Sequence, residues 1–311
     1  MNLVTIDDVH AAAKAIEGLA VRTPLLRAEW AGDLWLKAES LQPVGAFKIR
    51  GAGNALARLP EDATGVITHS SGNHGRALGY AAARLGVPCV VVVPDTAPAA
   101  KVAGIGETGA EIVMVSPADR LGATERLAAE RGLTLIPPYD HADVIAGQGT
   151  VGLEILAQLS DVDTILVPVG GGGLGSGVAS AVKALAPAVK VIGVEPELAA
   201  DAEESLRAGE LIAWSQEKSY RTIADGVRTG LSELTFAHLK ARMDGIVTVT
   251  EAEIRSAAGE LARRSRLVAE PTGALTTAAY LRHGEGFGRT AAIVSGGNLD
   301  PELLAELVTA N

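Results

Sequence analysis

Thr164-Ile165-Leu166-Val167-Pro168-Val169-Gly170-Gly171-Gly172-Gly173-Leu174-Gly175-Ser176 is the stretch that decides the fold. A short apolar run reads as a buried strand, four consecutive glycines as a loop, and Ser176 to Ala186 as a helix. Val191 to Val194 then supplies a second strand, so the unit closes as strand, helix, strand. The same rhythm runs upstream: Val66 to Thr68 before Arg76 to Leu85, Cys89 to Val93 before Ala99 to Thr108, and Ile112 to Val115 before Asp119 to Arg131. Downstream come Ile246 to Val249, a helix from Ala252 to about Arg264, another from Gly273 to Leu281, and a strand Ala291 to Ser295 ahead of a terminal helix. At the start, Thr5 and Asp8 cap an amphipathic helix and Trp35 to Glu39 reads as a strand. Alternation of this kind predicts an α/β protein of open, doubly wound parallel sheets. With 311 residues the chain has length for two domains.

Composition removes several function classes. An apolar share of 48% against 21% charged residues is that of a globular chain, not a disordered one. The 27 basic and 37 acidic residues leave a net charge of −10, with the basic ones scattered singly. That argues against nucleic acid and against an anionic membrane as partners. One cysteine, Cys89, forbids an internal disulfide, and its place in Val87 to Val93 reads as a buried strand thiol. With no basic region followed by an apolar one at the start and no 18-residue apolar run, a cytoplasmic setting is expected.

The unusual residues gather after strands. His69-Ser70-Ser71-Gly72-Asn73-His74-Gly75, Gly170 to Gly173, Glu195-Pro196 and Ser295-Gly296-Gly297-Asn298 each follow one. Open parallel sheets bind ligands beyond the carboxyl ends of their strands, so these four loops predict one shared site. Four glycines ahead of a helix can bring several backbone N–H groups onto a phosphate. Gly170, Gly172 and Gly175 also satisfy G-x-G-x-x-G, with Glu195 placed 25 residues on for a ribose, so a dinucleotide-dependent oxidoreductase stays open at this point. Gly45-Ala46-Phe47-Lys48-Ile49-Arg50-Gly51 points elsewhere. A lysine in a glycine-flanked turn, combined with a phosphate loop, suggests pyridoxal phosphate, which forms a Schiff base with lysine.

The chain resembles the fold-type II pyridoxal phosphate enzymes, the tryptophan synthase β-like group, and among them the serine/threonine ammonia-lyase (dehydratase) and serine racemase branch. The resemblance rests on Phe47 to Gly51, Ser71 to Gly75, Ile145-Ala146-Gly147-Gln148-Gly149-Thr150, the tetraglycine loop, Thr222 to Val227, Glu270-Pro271-Thr272-Gly273 and Ser295 to Asn298, in family order. It implies that Lys48 carries the cofactor, Phe47 packs near its ring, Asn73 bonds its hydroxyl, Gly170, Gly171, Gly172, Gly173 and Leu174 hold its phosphate, and Ser295 faces its pyridine nitrogen. Ser70, Ser71, Asn73 and His74 would grip a small amino acid substrate. Ser71 matches the racemase branch, where a serine is the acid or base opposite the lysine, and is equally readable as a carboxylate-binding hydroxyl. Glu195, Ala199 and Asp201 match positions holding Mg²⁺, Mn²⁺ or Ca²⁺, which reassigns Glu195 from ribose to metal. Ala46 departs from the serine or threonine that many relatives have there, which makes substrate specificity less transferable.

By the same resemblance a small substrate-closing domain, 53–141, is inserted in a large cofactor-binding domain, 1–52 and 142–311. A homodimer is the expected assembly. The expected reaction is dehydration and deamination of L-threonine or L-serine to a 2-oxo acid and ammonia; amino acid racemisation with side elimination and 3-hydroxyaspartate cleavage are the alternatives.

Overall fold

Ala291 and Ile293 bury their side chains on one side of a strand, Ala292 and Val294 on the other, and both sides are covered by helices. A strand buried on both faces belongs to the centre of a doubly wound sheet. The computed structural model describes residues 2–309. Its strands are β1 (Leu25–Arg27), β2 (Leu34–Ala38), β3 (Val66–His69), β4 (Cys89–Pro94), β5 (Glu111–Val115), β6 (Thr134–Leu135), β7 (Thr164–Pro168), β8 (Lys190–Pro196), β9 (Gly245–Val249) and β10 (Thr290–Val294). They form a six-stranded sheet in the order β1-β2-β10-β7-β8-β9 and a four-stranded sheet in the order β5-β4-β3-β6. All pairings are parallel except β1 on β2.

In the larger sheet Ile165, Val167, Ala291 and Ile293 pack against Val151 and Ile155 of the helix Ala142–Gln158 and Val178 and Val182 of the helix Gly173–Leu185. Leu166, Ala292 and Val294 meet Ile254, Ala274, Leu275 and Ala278 from the helices Glu251–Glu260 and Pro271–His283. In the smaller sheet Ile67, Val90 and Val92 face the helix Arg120–Arg131, while Val91 and Val93 face Ile105. No described helix is long and apolar enough to cross a membrane.

Strand order places the site. From β7 the chain steps to β8 and β9 on one side, while β10 lies on the other, so the order reverses between β7 and β10. In the small sheet it reverses between β3 and β6. Crevices open at such switch points. The loops bordering them are Gly170 to Gly173 and Ser295 in one sheet, and Ser70 to Gly72 and Pro138-Tyr139 in the other.

A buried ionic network fixes the segment leading into the site. Arg50 is 1% exposed and makes a two-pronged pair with Glu39, at 2.8 and 2.7 Å, and two further bonds to Glu154 at 2.7 and 2.9 Å. Lys37, also buried, joins Glu154, Gln158 and the Thr23 carbonyl. Burial alone would raise the Glu39 carboxyl, but the Arg50 guanidinium holds it below the usual range. Arg50→Met leaves the buried Glu39 carboxylate without its ion-pair partner, a change that costs about 3–5 kcal/mol. Urea titration should show a matching fall in the unfolding midpoint; a loss under about 1 kcal/mol would mean that water reaches the network.

Candidate active site

At Gly45 the chain takes φ 72°, and a Cβ there would fall 2.4 Å from Asn298 Oδ1. Ala46 then bridges Gly296, and the Phe47 amide donates to the Ser295 carbonyl at 3.0 Å. These bonds sew the end of β10 to the start of a helix, Lys48–Ala57. Lys48 is thus the first residue of a helix with a glycine turn only before it; the two-sided turn expected from sequence is corrected, because Gly51 lies inside the helix against Gln148. Lys48 Nζ donates to the Pro138 carbonyl at 2.8 Å and sits 5.1 Å from the Phe47 ring centroid. Loss of surrounding water pulls its ammonium down to about 8, with no carboxylate beside it to pull it back.

Lys48 opens onto a cavity of about 360 Å³ lined from both sheets by Phe47, Ser70, Ser71, Asn73, His74, Gly170 to Leu174 and Ser295. Three of the four expected loops therefore converge, and Glu195-Pro196 does not line the cavity. The ribose role for Glu195 falls with that. Between the turn at Val227 and the Tyr139 ring the glycine loop has no room for side chains: a Cβ on Gly170 would lie 2.6 Å from the Val227 backbone, and one on Gly171 2.4 Å from the ring. Gly172 has φ 82°, a conformation other residues rarely adopt. The helix begins at Gly173, earlier than the Ser176 read from sequence, and the amides from Gly171 to Gly175 have no protein acceptor among the described residues. Several unpaired N–H groups at a helix N-terminus fit a phosphate dianion.

The loop after β3 crosses to the other sheet. Ser70 Oγ accepts from the Gly72 amide, and Ser71 lines the cavity, its hydroxyl making no protein hydrogen bond among the described residues. Asn73 donates to Glu270 at 2.6 Å and accepts from Asn298 at 2.8 Å. His74 spends its Nε2 on the Ile136 carbonyl, 3.0 Å away, and burial, then the Lys48 charge, pushes its pKa down to about 3. It is a neutral support for the loop. Burial, with the charge of Asp225, raises the Glu270 carboxyl to about 7. Lys101 pairs with Asp225 across the same crevice.

Residues 16–296 match the pyridoxal-phosphate dependent enzymes. The chain belongs to that family. Pyridoxal phosphate is accordingly its cofactor, and the cavity holds both things that cofactor needs, an amine and an anion cradle. Over 99% of its length the chain is 42% identical to the L-threo-3-hydroxyaspartate ammonia-lyase of Saccharomyces cerevisiae, covering 98% of that protein. Maize serine racemase superposes with a TM-score of 0.94 at 36% identity, covering 98% of this chain and 97% of that one. The threonine deaminase of T.th. gives 0.91 at 46%, covering 95% and 99%. These relatives are lyases and racemases acting on different amino acids, so the family sets the chemistry and leaves the substrate to the site.

In this pyridoxal-phosphate dependent enzyme, Cys89 is half-buried rather than buried, and burial still pushes its thiol up to about 12, so it is no nucleophile. Glu195 and Asp201, a strand end and a helix start, are both buried away from the cavity. Tyr139, Arg120 and His69 line the cavity without any role assigned from sequence, where they are isolated residues on strand ends and a helix start.

Proposed function

We propose that the enzyme eliminates the β-hydroxyl of a small β-hydroxy amino acid, such as L-serine or L-threonine, giving a 2-oxo acid and ammonia. The observation that carries this reading is that Lys48 Nζ and the unpaired amides of the glycine loop share one cavity with the Ser70 to Asn73 loop. Pyridoxal phosphate, joined to the substrate's amino group, supplies the electron sink that makes the α-hydrogen acidic. Lys48 Nζ takes that proton, and a pKa near 8 leaves a useful share of neutral amine at neutral pH. The hydroxyl leaves as water, and the released enamine regains that water on hydrolysis, so L-serine ends as pyruvate and ammonia. Asn73, Phe47 and Ser295 would hold the ring; a serine hydroxyl rather than a carboxylate at the ring nitrogen suits elimination better than transamination. The positive end of the helix Asn73–Leu85 would receive the substrate carboxylate. Coupled assays of 2-oxo acid and ammonia on a panel of β-hydroxy amino acids test the proposal, and absence of both products from all of them would end it.

The unit 53–141 closing on the remainder is part of the same proposal, with Asn73 to Glu270, Arg76 to Asn298 and Lys101 to Asp225 as its bridging contacts. So is a homodimer, which light scattering checks.

A divalent cation, Mg²⁺, Mn²⁺ or Ca²⁺, fits beside Glu195 and Asp201. Burial, then the Asp201 charge, drives the Glu195 carboxyl well up; burial raises Asp201 too, and its Oδ2 is enclosed with no hydrogen-bond partner. No group of three His, Cys, Asp or Glu side chains converges among the described residues, and the further protein ligand proposed is the Ala199 carbonyl. Such a site is all oxygen, as hard cations prefer. Its role is structural: it offsets two buried charges. Chelation should lower the melting temperature and added Mg²⁺ raise it, a hundredfold excess over Kd stabilising the folded state by about 2.7 kcal/mol. Identical curves for chelated, Mg²⁺-supplied and Asp201→Ala protein would remove the metal.

A further inference from the structure

Behind the glycine loop, on the side away from the cavity, the packing closes around one sulfur. Leu231 and the helix Glu233–Arg242 back the loop: a Cβ on Gly172 would lie 2.6 Å from Leu231 Cδ2 and 2.8 Å from Thr235 Cβ, and one on Gly175 would lie 3.2 Å from Leu239 Cδ2. Met243 caps the end of that helix, with its Cε 3.1 Å from where the Gly175 Cβ would stand. A Cβ on Gly193 of β8 would come 2.9 Å from its Sδ. Two glycines therefore make the space that this thioether fills. The cluster around it, Val169, Ala202, Leu239 and Ile246, is apolar, while Met243 itself is only half-buried and part of its side chain meets solvent. No thiolate competes for an oxidant there, because the single cysteine, Cys89, is held protonated by burial with its pKa pushed up to about 12. Met114, 47% exposed on β5, does not line the cavity.

We propose that Met243 is a redox-responsive modification site, at which oxidation by a hydroperoxide loosens the phosphate cradle and releases pyridoxal phosphate. With hydrogen peroxide the sulfur gives up two electrons: an S–O bond forms as the O–O bond breaks, and the second peroxide oxygen leaves as water. The product is a sulfoxide, polar where the thioether was apolar and one atom larger. None of the Val, Ala, Leu and Ile side chains around it can donate a hydrogen bond to the new oxygen. Either the side chain turns out to water and leaves a void under the first turn of the helix Gly173–Leu185, or that turn shifts. Both outcomes disturb the Gly171 to Gly175 amides on which the cradle depends. Sulfoxide reductases return the thioether, so the change is reversible. The inference rests on the phosphate reading of the glycine loop and holds for any amino acid substrate.

The test treats wild-type holoenzyme with graded hydrogen peroxide, follows the oxygen added at Met243 and Met114 by peptide mass spectrometry, and measures cofactor binding by equilibrium dialysis. Conversion of Met243 should raise the Kd for pyridoxal phosphate about tenfold, the scale set by one badly placed polar group, and leave that for pyridoxal, which lacks the phosphate, unchanged. Methionine sulfoxide reductases should restore binding. Met243→Leu should keep its cofactor through the same dose, Met243→Gln should bind it more weakly than Met243→Leu without any peroxide, and Met114→Leu should stay as sensitive as wild type. Cofactor retained by protein fully oxidised at Met243, or lost equally by Met243→Leu, would overturn the proposal. Equal weakening for pyridoxal and pyridoxal phosphate would also overturn it, by placing the damage in the fold at large. Should Met243→Leu fail to fold, the wild-type titration still decides: cofactor loss must follow oxidation of Met243 and not that of Met114.

Discussion

Lys48→Ala should lower 2-oxo acid formation by at least about 10⁴-fold, the loss of the covalent anchor adding to the loss of the base. It should also remove the visible absorbance that marks a lysine-bound cofactor. Lys37 is locked by Glu154, Gln158 and the Thr23 carbonyl inside the Arg50 network and does not line the cavity. Lys101 does line it, yet its charge is held by Asp225. Only Lys48 combines access to the cavity with an amine whose proton is loosened by burial, near 8 instead of 10.5. Borohydride reduction followed by peptide mapping decides the matter. A pyridoxyl group on Lys101 or Lys37, or retained absorbance and turnover in Lys48→Ala, would refute the assignment.

The sheets were legible because βα alternation is local: Cys89 to Pro94 or Thr164 to Pro168 show their burial in a run of apolar residues. What escaped was set by packing across the chain. The helix Ala142–Gln158 contains Gly147, Gly149 and Gly152, each costing about 1 kcal/mol in helix propensity, and therefore does not announce itself. The structure shows why those glycines stand there: a Cβ on Gly147 would come within 2.4 Å of the Arg50 carbonyl, and one on Gly149 within 2.8 Å of Val9. Close approach of helices outweighs propensity. In the same way the Lys48 segment reads as a turn because Gly45 and Gly51 bracket it, whereas the first makes a turn and the second a helix contact. The glycine loop and Lys48 could be paired from sequence because their chemistry is unusual. Arg120 could not, since one more arginine at a helix start looks like a solvated charge until the fold encloses its Nε.

Ser71→Ala should separate the two pyridoxal readings, elimination and racemisation. Inverting an amino acid requires a proton donor on the face opposite Lys48, whereas elimination needs the lysine and a protonated leaving hydroxyl. Ser71 is the candidate donor because it lines the cavity and its hydroxyl has no protein partner among the described residues, unlike Ser70, whose Oγ is engaged by the Gly72 amide. His74, the next titratable residue along the loop, cannot replace it: its ring is turned to Ile136 and its pKa lies near 3. Removing the Ser71 hydroxyl should therefore suppress D-serine formation from L-serine by about a thousandfold, on the order of 4 kcal/mol of transition-state stabilisation. Pyruvate formation should survive with a loss of about tenfold, on the order of 1.4 kcal/mol, if the hydroxyl also orients the carboxylate. Chiral chromatography of the recovered serine, run beside the pyruvate assay, measures both. A wild type that makes pyruvate and no D-serine would leave Ser71 a binding residue and the enzyme a lyase alone. D-serine formed at an unchanged rate by Ser71→Ala would move the second proton donor to another group on the cavity wall, and the neutral Tyr139 phenol, beside the glycine loop, would be the next to replace.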